Sequence, residues 1–465
     1  MRKQTTIFFL FLFCIILFNQ AENPSAKVKE SSPTTDNKPI IAPVIPHFLP
    51  EEVGMNAVKL NRIDSIAKDG IKKMIFPGCQ IVVMKDGKMV YDKCFGSFSY
   101  ESIQKVKPTT MYDLASLTKT TGTLLAIMKL YDNGKIKLTD KASTYLPFLR
   151  GTDKESITIN QLLFHESGLP GTLSFHRLVI EKNTASKNII TDSFHINKNK
   201  VIGPVYRYKE EWASKIPSDD FSMQVADSFY LNKNIHTAEM QMIANTKLGS
   251  KTYLYSCVNF IVLKEIAETI SGMPLDVFLD KEFYHPMKLN SIAYLPLRTH
   301  NKEEIVPTLK KDYLRNGILQ GYVHDPAAAF LGGISGNAGL FASAQDVALV
   351  YQMLLNNGKM DDKSYLSTET CHLFTTTTSA SGRRGLGFDK PVPTNLRYNP
   401  CCLSAPLAVY GHTGYTGTCC WVDPVNNLVY VFLSNRTYPN DGVNMLARMS
   451  IRPKIQEVIY QSLKK

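Results

Sequence analysis

Residues 116–131 read S-L-T-K-T-T-G-T-L-L-A-I-M-K-L-Y, a hydroxyl-rich start followed by an apolar run with Leu124, Leu125, Ile127 and Met128 on one side. That pattern predicts a helix that begins near Ser116 and buries one face. Ser116 and Lys119 are three apart, so on a helix they share a face, with about 5–6 Å between Cβ atoms. A serine hydroxyl is a poor nucleophile until a base takes its proton. A lysine can be that base when burial or neighbouring positive charge lowers its pKa. The unpaired N–H groups of a helix start also suit a developing oxyanion. S-x-x-K occurs by chance in many chains, so the motif needs partners elsewhere.

Outward from this stretch, residues 58–74 carry apolar side chains at helical spacing (Leu60, Ile63, Ile66, Ala67, Ile71). Two β-rich runs, 80–84 and 88–91, flank Asp86-Gly87, a strong hairpin signal because both positions tolerate positive φ. Short or amphipathic helices are predicted over 158–165, 258–270, 344–355 and 452–463. Residues 418–422 and 428–433 read as a β pair around Asp423-Pro424-Val425-Asn426-Asn427. Residues 172–250 are polar and irregular, and read as an insertion or helical subdomain. The order of these elements predicts an α/β (α+β) fold with one discontinuous sheet. Early and late strands meet in that sheet, with a mostly helical region inserted between them.

At 465 residues, 44% apolar and 20% charged, the chain has an ordinary globular composition and enough material for a large core. The formal charge of +12 is scattered rather than gathered in a basic block, which argues against a nucleic-acid partner. Arg2 and Lys3 precede an apolar run over 7–18 and the exit Asn19-Gln20-Ala21. This predicts a secretory signal peptide over 1–21; the run falls short of the roughly 20 residues of a membrane-spanning helix. An uncleaved N-terminal anchor is the alternative. Residues 22–46, rich in Pro, Ser, Thr, Lys and Asn, read as a flexible tether to a domain over 47–465. The expected location is the periplasm or cell surface. Besides Cys14, eight cysteines remain, and an oxidising compartment permits disulfides. Cys401-Cys402 and Cys419-Cys420 could bridge across neighbouring strands, although pairing is not readable from sequence. No Cys/His cluster of zinc type appears, so no metal or other cofactor is expected.

Two further segments change the weight of Ser116 and Lys119. Tyr255-Ser256-Cys257 sits before an amphipathic helix, and His412-Thr413-Gly414 before a strand. A tyrosine can carry a proton from the serine to a leaving group. An imidazole on an edge strand can polarise that relay, and the Gly414-Tyr415 backbone can lie beside a substrate. Taken singly, Tyr255 reads as a core residue and His412 as a surface one.

In combination, S-L-T-K, Y-S-C and H-T-G resemble the S-x-x-K, Y-x-N and K/H-x-G motifs of the β-lactamase/penicillin-binding-protein family. The likeness is to its class C β-lactamase, esterase and D-aminopeptidase branch. Phe76-Pro77-Gly78, the run 165–170 (H-E-S-G-L-P), the run 333–341 (G-I-S-G-N-A-G-L-F) and Trp421-Val422-Asp423-Pro424 extend the resemblance over roughly 50–460. It implies an antiparallel sheet flanked by helices plus an all-helical region, with the site between them. It also implies that Ser116 is acylated, Lys119 is its base partner, Tyr255 relays the proton, and His412 stands in the third motif. Backbone N–H groups of Ser116 and Tyr415 would form the oxyanion hole, with Cys257, Gly414 and Tyr415 beside the substrate. The expected partner is a small ester or amide, or a peptide derived from peptidoglycan.

Two positions depart from the pattern. Cys257 replaces an Asn (Asp in some branches) that helps hold the substrate amide and the lysine, which a thiol does poorly. His412 replaces the lysine typical of β-lactamases, as in the esterase and D-aminopeptidase branch. Other motifs fail on inspection. His165-Glu166 lacks the second histidine of H-E-x-x-H, 333–337 ends in Asn337 rather than the glycine of a nucleophile elbow, and no phosphate loop occurs. A catalytic Glu166 is disfavoured because the resemblance makes its stretch structural. The expected function is therefore an exported serine hydrolase working through an acyl-enzyme. The rival is a catalytically weak or inactive peptidoglycan-binding or sensing module that kept the fold.

Overall fold

The computed structural model describes residues 46–181, 206–315, 317–382, 384–395 and 399–464. The expected signal peptide and nearly all of the tether lie outside them. The elements that frame the site are, in chain order, α1 (Arg62–Lys72), β1 (Gly78–Lys85), β2 (Lys88–Gly96), α2 (Leu124–Asp132) and α3 (Cys257–Ser271). They continue with α4 (Ala344–Leu355), β3 (Tyr410–Thr413), β4 (Cys419–Asp423), β5 (Leu428–Ser434) and α5 (Ile451–Ser462). Local chemistry sets several boundaries. Asp86 and Gly87 both adopt positive φ (53° and 74°) and turn β1 into β2. Ser256 and Ser343 cap α3 and α4 through their side chains, and Gly272 ends α3 in the left-handed region.

The main sheet is antiparallel with strand order β3-β4-β5-β1-β2. The early hairpin and the late strands therefore meet, with Cys79 opposite Ser434 and Lys85 opposite Leu428. Val82, Val422, Val431 and Leu433 face one core with α4, while Ile81, Trp421 and Phe432 face a second core with α1 and α5. Because both faces are covered, β5 is a continuous apolar run rather than an alternating one. Each fully buried Val, Leu or Phe contributes about 1.5–3 kcal/mol relative to exposure, so β5 anchors the sheet.

A second, three-stranded sheet has Leu340–Ala342 at its centre, between Tyr112–Asp113 and Ile292–Tyr294. It brings the chain just before Ser116 beside the chain just after Asn337. In the described part of 172–250, strands Ala213–Ser214, Met223–Ala226 and Phe229–Leu231 form a small sheet followed by the helix Ile235–Asn245. Val225, Phe229, Leu231 and Ile235 are buried there. This segment is more ordered than its polar composition suggests, because strands of two to four residues are too short to show alternation. All eight described cysteines are free thiols. Cys419 and Cys420 point to opposite cores, as neighbours on a strand must. No described helix is long and apolar enough to cross a membrane.

Candidate active site

The predicted helix over 116–131 is three helical geometries in succession. A 3₁₀ turn, Ala115–Leu117, leads into a wider π turn, Lys119–Thr123, and then into α2. Ala115 has a φ of +47°, a left-handed conformation that costs a non-glycine residue about 1–3 kcal/mol. Asp113 holds it there, because its carboxylate accepts from the Ala115 N–H (2.8 Å) and from the His324 N–H (2.6 Å). Burial pushes the Asp113 carboxyl up, and those two N–H bonds oppose the shift. The strained turn leaves Ser116 half-buried while Lys119 is fully buried.

Lys119 Nζ donates to Ser116 Oγ at 3.1 Å, to the Asn337 carbonyl at 2.9 Å and to Cys257 Sγ at 3.5 Å. Burial disfavours its ammonium, but Cys257, Tyr255 and then Asp325 outweigh burial and hold its pKa above the ordinary lysine value. The resting lysine is therefore charged, whereas a base partner needs a lowered pKa. The Tyr255 ring lies beside this lysine, its centroid 5.2 Å from Lys119 Nζ. Burial pushes that phenol up, and Lys119 and Arg384 pull it back only in part. Burial likewise raises the Cys257 thiol, which Lys119 moderates.

The segment 165–171 fixes Tyr255. The Leu254 N–H bonds the His165 carbonyl (2.9 Å), the Ser256 N–H bonds His165 Nδ1 (3.1 Å), and the Cys257 N–H bonds the Gly171 carbonyl (2.7 Å). The His165 ring also packs against Tyr255, tilted by 40°, at 4.7 Å between centroids. Burial, with Arg384 and Lys119 nearby, drives the His165 pKa well down, so this ring is neutral. Glu166 points elsewhere, accepting from Ser381 Oγ at 3.1 Å.

Strand β3 closes the other side. A Cβ on Gly414 would lie 2.0 Å from Thr418 Oγ1 and 2.3 Å from the Leu114 carbonyl. Only glycine lets the third motif press this close to the Ser116 turn. His412 is buried, with its ring 5.9 Å from that of Tyr255. The Tyr415 side chain turns outward, bonding Asp441 Oδ2 (3.1 Å) beneath the Arg436 guanidinium.

Ser116, Lys119, Tyr255, Cys257 and His412 thus converge, with the Gly414-Tyr415 backbone alongside. Four further residues belong to the site. Asn337 supplies a carbonyl to Lys119, and its amide donates to Asp325 Oδ1 at 3.1 Å. Its loop reaches α3 because Gly336 has no Cβ, which would sit 1.9 Å from the Phe260 carbonyl. Arg384 is buried, its Nη2 donating to His412 Nε2 at 3.1 Å and its Cζ lying 5.1 Å from the Tyr255 ring centroid. With His165, these are the residues that motif reading did not assign. Residues 332–339 are glycine-rich, as a loop near the site would be, but nothing local marks Asp325 or Arg384. Among the described residues, no group of three or more His, Cys, Asp or Glu side chains could hold a metal ion.

Comparison with known proteins places the chain in a family. A protein of Escherichia coli K12 with the provisional name D-alanyl-D-alanine carboxypeptidase is 30% identical, over 85% of this chain and 86% of its own. The N-acetylmuramyl-L-alanine amidase of Bacillus subtilis 168 is also 30% identical, over 83% of each chain. In fold, the chain is similar to EstCE1, a hydrolase with promiscuous acyltransferase activity. The TM-score is 0.60 at 16% identity, covering 87% of this chain and 99% of that one. D-alanine carboxypeptidase AmpC from Burkholderia cenocepacia gives a TM-score of 0.58 at 16% identity, over 87% and 98%. The Beta-lactamase family profile matches residues 63–449, a span that contains every residue of the converging site, and the chain belongs to that family.

Proposed function

We propose that this chain is an exported serine hydrolase that forms an acyl-enzyme at Ser116 on a peptide ending in a D-amino acid. The observation that carries the reading is the contact of Lys119 Nζ with Ser116 Oγ at 3.1 Å, with the Tyr255 ring centroid 5.2 Å from the same Nζ. Once the Lys119–Tyr255 pair has lost a proton, Ser116 Oγ attacks the scissile carbonyl and its proton passes to that pair. The oxyanion is met by the N–H groups of Ser116, early in a 3₁₀ turn, and of Tyr415, just past β3. The C–N bond breaks as Tyr255 returns the proton to the leaving amine, and water then releases the acyl group. The names of the two relatives favour cell-wall peptides, and the basic, apolar start of the sequence favours export.

The test is intact-mass labelling of the mature protein with a fluorophosphonate and, separately, a penicillin, compared with Ser116→Ala. An adduct on the wild type alone establishes an activated serine, and a penicillin adduct as well points to cell-wall peptides. A folded wild type that neither reagent modifies returns the chain to the peptidoglycan-binding reading, which Cys257 in the second motif favours.

A further inference from the structure

The third motif offers an imidazole where a fixed cation is usual, yet a guanidinium lies directly behind it. Resting on the acyl-enzyme reading above, we propose that Arg384 carries the permanent positive charge of this motif. In the same contact it holds His412 as a neutral imidazole with the proton on Nδ1.

The hydrogen bonds fix both ring nitrogens. A guanidinium has donors only, so His412 Nε2, 3.1 Å from Arg384 Nη2, accepts. Nδ1 lies 2.7 Å from the Thr413 carbonyl, an acceptor, so Nδ1 carries the proton. Protonating Nε2 would set one N–H against another and place a second positive charge beside Arg384 in a buried site. Charged and titratable groups among the described residues stand around the ring. Arg384, Lys119 and neutral His165 lie on the positive side; the Tyr255 phenol is at 5.9 Å, and Asp389 belongs to the segment paired with β3.

The chain holds Arg384 firmly in this place. Its own segment bridges to Asp389, which bonds Gly411 of β3 in both directions, N–H to carbonyl, at 2.8 and 3.1 Å. The Ser379 N–H bonds the Arg384 carbonyl at 2.7 Å. Within the guanidinium, Nη1 is 3.5 Å from Asp389 Oδ1, and Nε has no hydrogen-bond partner among the described residues. Its charge is thus only loosely neutralised and remains directed at the Tyr255 ring, 5.1 Å away. Arg384 is a positioning residue: it acts on the nucleophile through Tyr255 and His412.

The test combines nitrogen-15 NMR of the histidine rings, with His412 assigned by its loss in His412→Asn, and fluorophosphonate labelling rates from about pH 5 to about pH 10. In the wild type, the His412 signal stays that of the Nδ1–H tautomer and does not titrate near the ordinary value of about 6.5. In Arg384→Gln, His412 gains a titration, and the alkaline rise in labelling moves up by about one pH unit as Tyr255 loses its cation. Arg384→Lys keeps the wild-type profile more nearly than the glutamine variant does. A wild-type His412 that titrates near 6.5 or sits in the Nε2–H tautomer overturns the proposal, and that result needs no variant to fold. A folded Arg384→Gln protein with unchanged tautomer and profile overturns it too. If the wild type shows no labelling at all, the acyl-enzyme reading fails while the tautomer still reports on Arg384.

Discussion

Lys119 donates to the carbonyl of Asn337, a residue 218 positions later in the chain, at 2.9 Å. The Asn337 side chain in turn donates to Asp325 Oδ1 at 3.1 Å and accepts from Ser335 Oγ at 2.8 Å. An amide from a distant loop thus stands beside the thiol that occupies the usual asparagine position of the second motif. Replacing Asn337 by Ala removes these bonds and leaves Asp325 and Ser335 short of partners. The expected results are a stability loss of about 1–3 kcal/mol and an acylation rate about tenfold lower, read by thermal unfolding and by fluorophosphonate labelling.

Cys257→Asn tests the same arrangement from the other side. If the thiol limits the hold on a substrate amide, the variant is labelled by penicillin about tenfold faster, a gain of about 1.4 kcal/mol in transition-state binding. An unchanged rate means that Asn337 already does that work.

Acidity should switch the site off. Burial lifts the Tyr255 phenol, and Cys257 and Tyr255 outweigh burial to lift the Lys119 ammonium, so both keep their protons at neutral pH. The competent form has lost one of these protons, and its population grows as pH rises. The labelling rate of Ser116 therefore climbs through the alkaline range and falls toward acid. A rate profile flat from about pH 6 to about pH 9 would remove this pair from the role of base.

Gly414→Ala forces a methyl group against the Leu114 carbonyl and Thr418 Oγ1. Overpacking of this kind costs about 1–3 kcal/mol, and here relief moves β3 away from the Ser116 turn. The expected outcome is a lowered Tm together with labelling reduced at least about a hundredfold. A variant that loses stability but labels normally would show that the approach of β3 is structural only.

Much of the framework is legible in the sequence because it depends on neighbours along the chain. Asp86-Gly87 makes its hairpin, Ser343 and the apolar spacing of 344–355 make α4, and the run from Leu428 makes β5. Ser116, Lys119, Tyr255 and His412 stand out as motifs because the chemistry needs those residue types in short, fixed patterns. Arg384, Asp325 and His165 carry no such pattern. Their importance arises when Asp389 pairs with Gly411, when the second sheet draws residues 113 and 341 together, and when 165–171 clamps Tyr255. The change from 3₁₀ to π geometry at Lys119 is equally hidden, since helical spacing does not distinguish them over a single turn.

The pairing of β1 with β5 also sets a timetable. About 340 residues of chain separate Lys85 from Leu428, yet they are partners in the sheet. Contacts so distant in sequence form slowly and late. At ordinary ribosomal speeds, roughly 20–70 s pass between the emergence of the first strand and the last. Through that interval the Ser116 segment has been made but has no sheet to rest on. The nascent chain thus lacks the assembled site and stays open to chaperones until its last strands arrive, and loss of its final forty residues would remove β5 and with it the centre of the sheet.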